Sequence, residues 1–245
     1  MSGYLSGRTS LTTVQTADIA DNAITLAKMA GGTDGQIITY DASGDPSAVG
    51  PGTDGQVLTS TGAGSPPAFE TSGGAGSVLE IVPLVCDGRS VTVGSGTYTA
   101  QDVTASQTPT TSYADFTGSS ITYTPPSGAQ AVIYDFHWGY GYVDSGHMHH
   151  IKFFIDSDEV TNGRRMTEGN GYNDHLANYR WIITIGDGNE TATGKLATWT
   201  SGKTLKLQIR AYSTSLEAKL HETTYWDGTS GTNLMVPTLT ITAID

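Results

Sequence analysis

From residue 77 onward, apolar and polar side chains alternate with a period of two. Tyr134, Phe136, Trp138, Tyr140 and Tyr142 interleave with Asp135, His137, Gly139 and Gly141. Ile151, Phe153 and Ile155 keep the same phase, as do Tyr179, Trp181, Ile183 and Ile185, and then Leu205, Leu207, Ile209 and Ala211. Near the end, Leu239, Ile241 and Ala243 face one way and Thr238, Thr240 and Thr242 the other. An extended chain sends successive side chains to opposite faces, so this pattern predicts strands with one face buried. Ser77–Val85 is a further apolar run, and turn clusters such as Asp156-Ser157-Asp158 and Gly186-Asp187-Gly188-Asn189 separate the runs. Roughly eight antiparallel strands over residues 77–245 imply a β-sandwich of jelly-roll type.

The first third carries a different pattern. Thr33-Asp34-Gly35-Gln36-Ile37-Ile38-Thr39 returns as Thr53-Asp54-Gly55-Gln56-Val57-Leu58-Thr59, and the echo continues with Gly44 and Gly64, Pro46 and Pro66, Ala48 and Ala68. Each unit reads as an Asp-Gly turn, a short β run and a Gly/Ser/Pro turn. One unit buries almost nothing, and two are too few for a self-sufficient solenoid, so the units must lean on neighbours or on other chains. The other reading of the same residues is a flexible Gly-rich linker. Upstream, Ala17, Ala20, Ile24 and Ala27 recur at helical spacing within residues 16–30, with Thr16 or Asp18 placed to cap. That stripe is narrow and small, so either a short helical bundle of several chains or another β-turn repeat accommodates it. Thr71-Ser72-Gly73-Gly74-Ala75-Gly76 has no bulky side chain and marks the boundary between the two patterns.

Composition sharpens this division. Only Tyr4, Tyr40 and Phe69 among the aromatic residues precede residue 77, so the first third cannot assemble a sizeable core alone. The formal charge of -12, with no basic run, argues against nucleic-acid binding, which needs clustered Lys and Arg. Cys86 is the sole cysteine, which excludes an intrachain disulfide framework and a multi-cysteine zinc site. No apolar run approaches the about 20 residues that cross a bilayer, and the start of the chain lacks the apolar core of a secretory signal. Virion proteins, made in the cytoplasm and released by lysis, fit that combination.

Residues 17–25, the Thr-Asp-Gly-Gln-Val-Leu-Thr-Ser unit at 53–60 and the run Gly62-Ala63-Gly64-Ser65-Pro66-Pro67-Ala68-Phe69-Glu70 resemble shaft segments of phage tail and head fibres, particularly those of marine phages. Tyr123-Thr124-Pro125-Pro126-Ser127-Gly128-Ala129 leading into Val132–Trp138, and Tyr225-Trp226-Asp227-Gly228-Thr229-Ser230, are similar to the trimeric knob domains of such fibres. The resemblance implies a mainly β homotrimer in three parts. Residues 1–30 would attach to other virion proteins, 31–76 would form a fibrous stalk, and 77–245 a jelly-roll knob like tumour-necrosis-factor and C1q heads. It implies a virion protein without enzymatic activity, whose head meets a host-surface glycan or protein, with no membrane insertion. The region before the shaft is short for a tail-fibre anchor. Two other classes stay open: a purely architectural head or capsid fibre, and a glycan-degrading tailspike, although tailspike enzymes usually use long parallel β-helices.

Three groups of residues carry candidate chemistry. His147 and His149 share strand parity with Ile151, so both imidazoles project from the inward line; on a threefold axis three such pairs would offer six nitrogens to iron, nickel or zinc. The alternative is a histidine cluster at the knob rim, satisfied by neighbouring groups. Tyr172, Tyr225 and Trp226 sit among Gly, Asn and Asp outside the alternating runs and are the candidate receptor-binding side chains. The Tyr134–Tyr142 line could stack sugars, but strict alternation favours core packing. Asp156, Asp158 and Glu159 crowd one hairpin tip, where solvated turn residues explain them. Gly50-Pro51-Gly52-Thr53-Asp54-Gly55 matches a dinucleotide fingerprint by letters only, lacking the strand before and the helix after.

Overall fold

The computed structural model describes residues 19–20, 23–24, 31–71, 76–141, 146–169, 175–216, 218–223 and 233–245. The chain divides into two compact units, Met1–Ser72 and Gly73–Asp245. Among the described residues every regular element is a strand, and all strand pairing between named strands is antiparallel. Most of the 16–30 stretch, for which helix and β-turn repeat stood open, lies outside the described residues.

In the first unit each repeat closes into its own hairpin. β1 (Ile37–Tyr40) pairs with β2 (Pro46–Val49), and β3 (Gln56–Thr59) with β4 (Ala68–Thr71). The Asp-Gly turn before each hairpin is built identically. Gln36 N–H donates to Thr33 O at 3.1 Å while Thr33 N–H donates to Gln36 Oε1 at 2.6 Å. Gln56 and Thr53 repeat both bonds, at 3.1 and 2.8 Å. Gly35 and Gly55 hold φ of 79° and 83°, the conformation a type II turn requires at its third position. The echo ends at the loops. Ile38 faces Ala48, but Leu58 faces Phe69, one residue beyond the 20-residue repeat. The Asp41 carboxylate accepts the N–H groups of Ser43 and Asp45 and tightens the first loop. In the second, Thr61 Oγ1 donates to Pro66 O across a wider one. Both hairpins leave large apolar side chains in the open: Ile38 is 61% and Tyr40 66% exposed, and Val57 and Leu58 are exposed too.

The second unit is a sandwich of two sheets. β5 (Val78–Val85), β10 (Ala131–Tyr140), β13 (His175–Thr184) and β17 (Thr238–Ile244) form one, in the order β13-β10-β17-β5. The other is β12-β11-β14-β8, from β8 (Ala114–Asp115), β11 (His147–Ile155), β12 (Asp158–Gly169) and β14 (Lys203–Ala211), with β9 (Ile121–Tyr123) also on β14. Hairpin β6 (Ser90–Val93) with β7 (Gly96–Thr99) and the short pair β15 (Glu222–Thr223) with β16 (Asn233–Leu234) stand beside them. The chain crosses between sheets at β5–β8, β9–β10, β10–β11, β12–β13, β13–β14 and β14–β17, which is the strand order of a jelly roll.

The alternating lines meet between these sheets. Tyr134, Phe136, Trp138 and Tyr140 are buried, as are Ile151, Phe153, Ile155, Leu205, Leu207, Ile209, Leu239 and Ile241. Phe153 of one sheet lies 5.0 Å from Tyr134 and 5.7 Å from Tyr179 of the other, ring centre to ring centre. From Tyr134 to Tyr140 the aromatic line is therefore core and not a sugar platform, and Tyr142 lies outside the described residues. Tyr134 and Tyr179 keep their hydroxyls satisfied by donating to Ser119 O at 2.6 Å and Gly163 O at 2.7 Å. Phe153→Ala removes a ring from the sheet interface and is expected to cost about 3–5 kcal/mol of stability, read as the shift in urea midpoint.

Cys86 is buried and donates from Sγ to Gly118 O at 3.2 Å. Burial, with the Asp87 carboxylate adding to it, pushes its thiol up to about 12. Because the thiolate is the reactive form, an alkylating reagent at pH 8 should leave Cys86 unmodified in the native protein and label it fully once the chain is unfolded.

Candidate functional site

His147 and His149 occupy the inward positions that their parity predicts, at the start of β11. Their rings stack 5.2 Å apart with planes inclined by 24°, and Tyr140 stacks on both, at 4.4 and 5.3 Å. His149 Nε2 accepts the Ala218 N–H at 3.3 Å, which places the proton on Nδ1, a buried atom without a partner among the described residues. Burial lowers the His149 pKa to about 3, with His147 and His150 adding repulsion; the His147 pKa is lowered by burial and by His175. Within a single chain the pair does not complete a site for iron, nickel or zinc; the axial site would draw its ligands from three chains. The ring nitrogens lie inside one chain, one lone pair is already taken by a backbone N–H, and the described residues contain no group of three or more His, Cys, Asp or Glu able to hold a metal.

A third buried histidine, His221, lies beyond what the alternation could reveal. It has the left-handed φ of 62°, donates Nε2–H to Thr117 O at 3.0 Å, and packs on the rings of Phe116 and Phe136. Burial lowers its pKa to about 4, against a smaller opposing effect of the Thr117 carbonyl. Tyr172, Tyr225 and Trp226, the candidate receptor-binding side chains, lie outside the described residues.

The outward face of the β13-β10-β17-β5 sheet was not singled out by the pattern, and it is unusual. Register places Ile81, Thr242, Ile133 and Ile182 in one row across the four strands, with Ile81 49% and Ile182 54% exposed. The adjacent row is Pro83, Thr240, Asp135 and Arg180. Asp135 is sunk into this face; Arg180 Nη2 reaches one carboxylate oxygen at 2.6 Å and His137 Nε2 lies 2.9 Å from the other. Val78 and Leu176, the latter 82% exposed, extend the apolar surface to opposite ends. A solvated sheet face normally carries polar side chains, so an isoleucine row beside a buried carboxylate paired with Arg180 departs from that pattern. A signal existed in the sequence: Asp135 interrupts an outward line otherwise made of Ala131, Ile133, His137 and Gly139.

No protein-family profile matches the chain, and no curated protein matches it. Among solved structures, one of infectious bursal disease virus, Gx strain, aligns over 80% of this chain and 39% of its own, at 10% identity and a TM-score of 0.33. One of the Gt strain aligns over 82% and 44%, at 8% identity and a TM-score of 0.32. A T13 particle of the same virus gives 84% and 47%, at 11% and 0.28. The chain thus spans less than half the length of these proteins, and a likeness at this level carries no argument about function. No helix among the described residues is long and apolar enough to cross a membrane.

Proposed function

We propose that the chain is a virion structural protein of the phage-fibre kind: a homotrimer whose repeat region is a stalk, and whose jelly-roll head meets a host-surface glycan or protein. In this reading it is a binding and structural component and not an enzyme, and residues 1–30 join it to other virion proteins. One observation carries the proposal. The repeat hairpins expose Ile38, Tyr40, Val57 and Leu58, side chains that the described residues leave uncovered and that sister chains wound about a common axis can cover. The Ile81–Ile133–Ile182 row extends the same need to the head. Resemblance of residues 17–25, 53–60 and 62–70 to fibre shafts supports the virion assignment. The test is competition: purified chain added to host cells should block adsorption of virions that carry it. Undiminished adsorption at saturating protein would leave a purely architectural fibre in its place.

A further inference from the structure

At one end of the sandwich, the tip of the β11–β12 hairpin faces the long connection from β13 to β14 across a cavity of about 330 Å³. Both walls are fixed. Asp156, with φ of 56°, ties the hairpin tip to β14: its N–H donates to Thr204 O at 2.7 Å, Oδ1 accepts Thr204 N–H at 2.8 Å, and Oδ2 accepts Lys203 Nζ at 3.1 Å. Burial works against the charge, but these donors still hold the Asp156 carboxyl below its usual range. The opposite wall is pinned by Trp181 Nε1 donating to Thr193 O at 3.1 Å and by Asn162 N–H donating to Ala192 O at 2.9 Å. Gly194, at φ +76°, lies so close that a Cβ there would stand 3.3 Å from each of Ile155 Cδ1, Trp181 Nε1 and Val160 Cγ2.

The lining has two characters. Ile155, Val160 and Leu196 offer an apolar floor, while Asp158, Asn189 and Thr191 stand on the exposed rim. The two ammonium groups of the lining are already paired: Lys203 with Asp156, and Lys195 with Glu190, 3.7 Å away. The Asp158 carboxylate has no partner among the described residues. Asn189 Oδ1 accepts Ala197 N–H at 2.8 Å, which leaves its NH2 as a donor with no partner among the described residues. A carboxylate that can accept two hydroxyls, an amide and a hydroxyl beside it, and a C–H floor beneath match the two faces of a pyranose. The free carboxylate disfavours an anionic sugar, and the volume sits at the low end of the roughly 300–1,000 Å³ typical of ligand pockets, room for one ring.

We propose that this cavity binds a single neutral hexose unit of a surface glycan. The assignment deepens the receptor-binding reading and rests on it for the biological ligand. Saturation-transfer NMR and calorimetry with methyl glycosides of glucose, galactose, mannose and N-acetylglucosamine, against methyl glucuronide, test it on the full chain. At least one neutral glycoside should bind with Kd on the order of 1 mM, and glucuronide should not. Asp158→Ala and, separately, Thr191→Val should each weaken that binding about tenfold, roughly 1.4 kcal/mol, at unchanged melting temperature. No neutral glycoside binding at about 50 mM, about fifty times that Kd, glucuronide preferred, or binding that survives both substitutions, overturns the assignment. The adsorption assay separates the two claims. If Asp158→Ala blocks adsorption as well as the unaltered chain does, the cavity assignment falls and the receptor reading stands. If sugars bind yet the chain never blocks adsorption, the receptor reading falls alone.

Discussion

Lowering the pH from 7 to 5 should remove about 4 kcal/mol from the unfolding free energy of the head, a large share of the roughly 5–15 kcal/mol margin of a typical protein. The cause is the pair of fully buried imidazoles, His149 and His221, whose pKa values fall from 6.5 to about 3 and about 4. A depressed histidine pKa means that the fold holds the neutral ring while the unfolded chain binds the proton. The stabilisation is therefore complete above the unfolded pKa near 6.5 and is lost as pH falls towards the folded values. At pH 5 unfolding should take up about two protons from these residues, a slope of about 2.7 kcal/mol per pH unit. His147, lowered in the same direction, adds to it. The carboxylates of Asp87, Asp115, Asp156 and Glu159 are also held below their usual values, but they start from 3.8 or 4.5 and so lose their contribution at lower pH. The interval from pH 7 to 5 thus isolates the histidines. Urea titrations across it should show the loss, and His149→Gln and His221→Asn should each reduce proton uptake by about one. Asn tolerates the left-handed backbone at 221. An unfolding free energy that stays flat over this interval would contradict the buried, neutral state of both rings.

Ile133→Asp should reduce the assembly to monomers at micromolar concentration while leaving each head folded. Ile133 occupies the middle of the outward isoleucine row, between Thr242 and Ile182, and points away from the core that Val132 and Tyr134 fill. A carboxylate there meets water in the lone chain at little cost. Once covered, it would be an unpaired charge beside Asp135, whose own carboxylate already pairs with Arg180. Breaking or overfilling a buried charge arrangement costs several kcal/mol per site, and threefold symmetry would repeat that cost at every copy. Sedimentation of the variant reads the assembly state, and near-ultraviolet circular dichroism reads the fold. An assembled Ile133→Asp protein would move the contact away from this sheet.

How far the sequence could carry such conclusions depended on what each pattern encodes. Alternation reports which side of a strand is buried, so Tyr134 through Tyr140, Ile151 through Ile155 and Leu205 through Ala211 were legible with their facing. It does not report what surrounds a buried side chain, so the inward parity of His147 and His149 was legible while their contacts with Tyr140 and Ala218 were not. A left-handed His221 gives no periodic signal. The hairpin β6–β7 alternates small and apolar residues in only four positions per strand and leaves a weak trace. Identical Thr-Asp-Gly-Gln turns were readable because one side chain and one glycine make them. The one-residue slip between Leu58 and Phe69 was not, because it arises in the loops. The hexose cavity joins residues near 156, 190 and 203, and only the folded chain brings them together.

In the proposed trimer, further copies of the chain cover both the exposed apolar hairpins and the isoleucine row. Sedimentation equilibrium of the intact protein at micromolar concentration measures this directly. A single species of three times 25.7 kDa is the predicted result, and a stable 25.7 kDa monomer would contradict it.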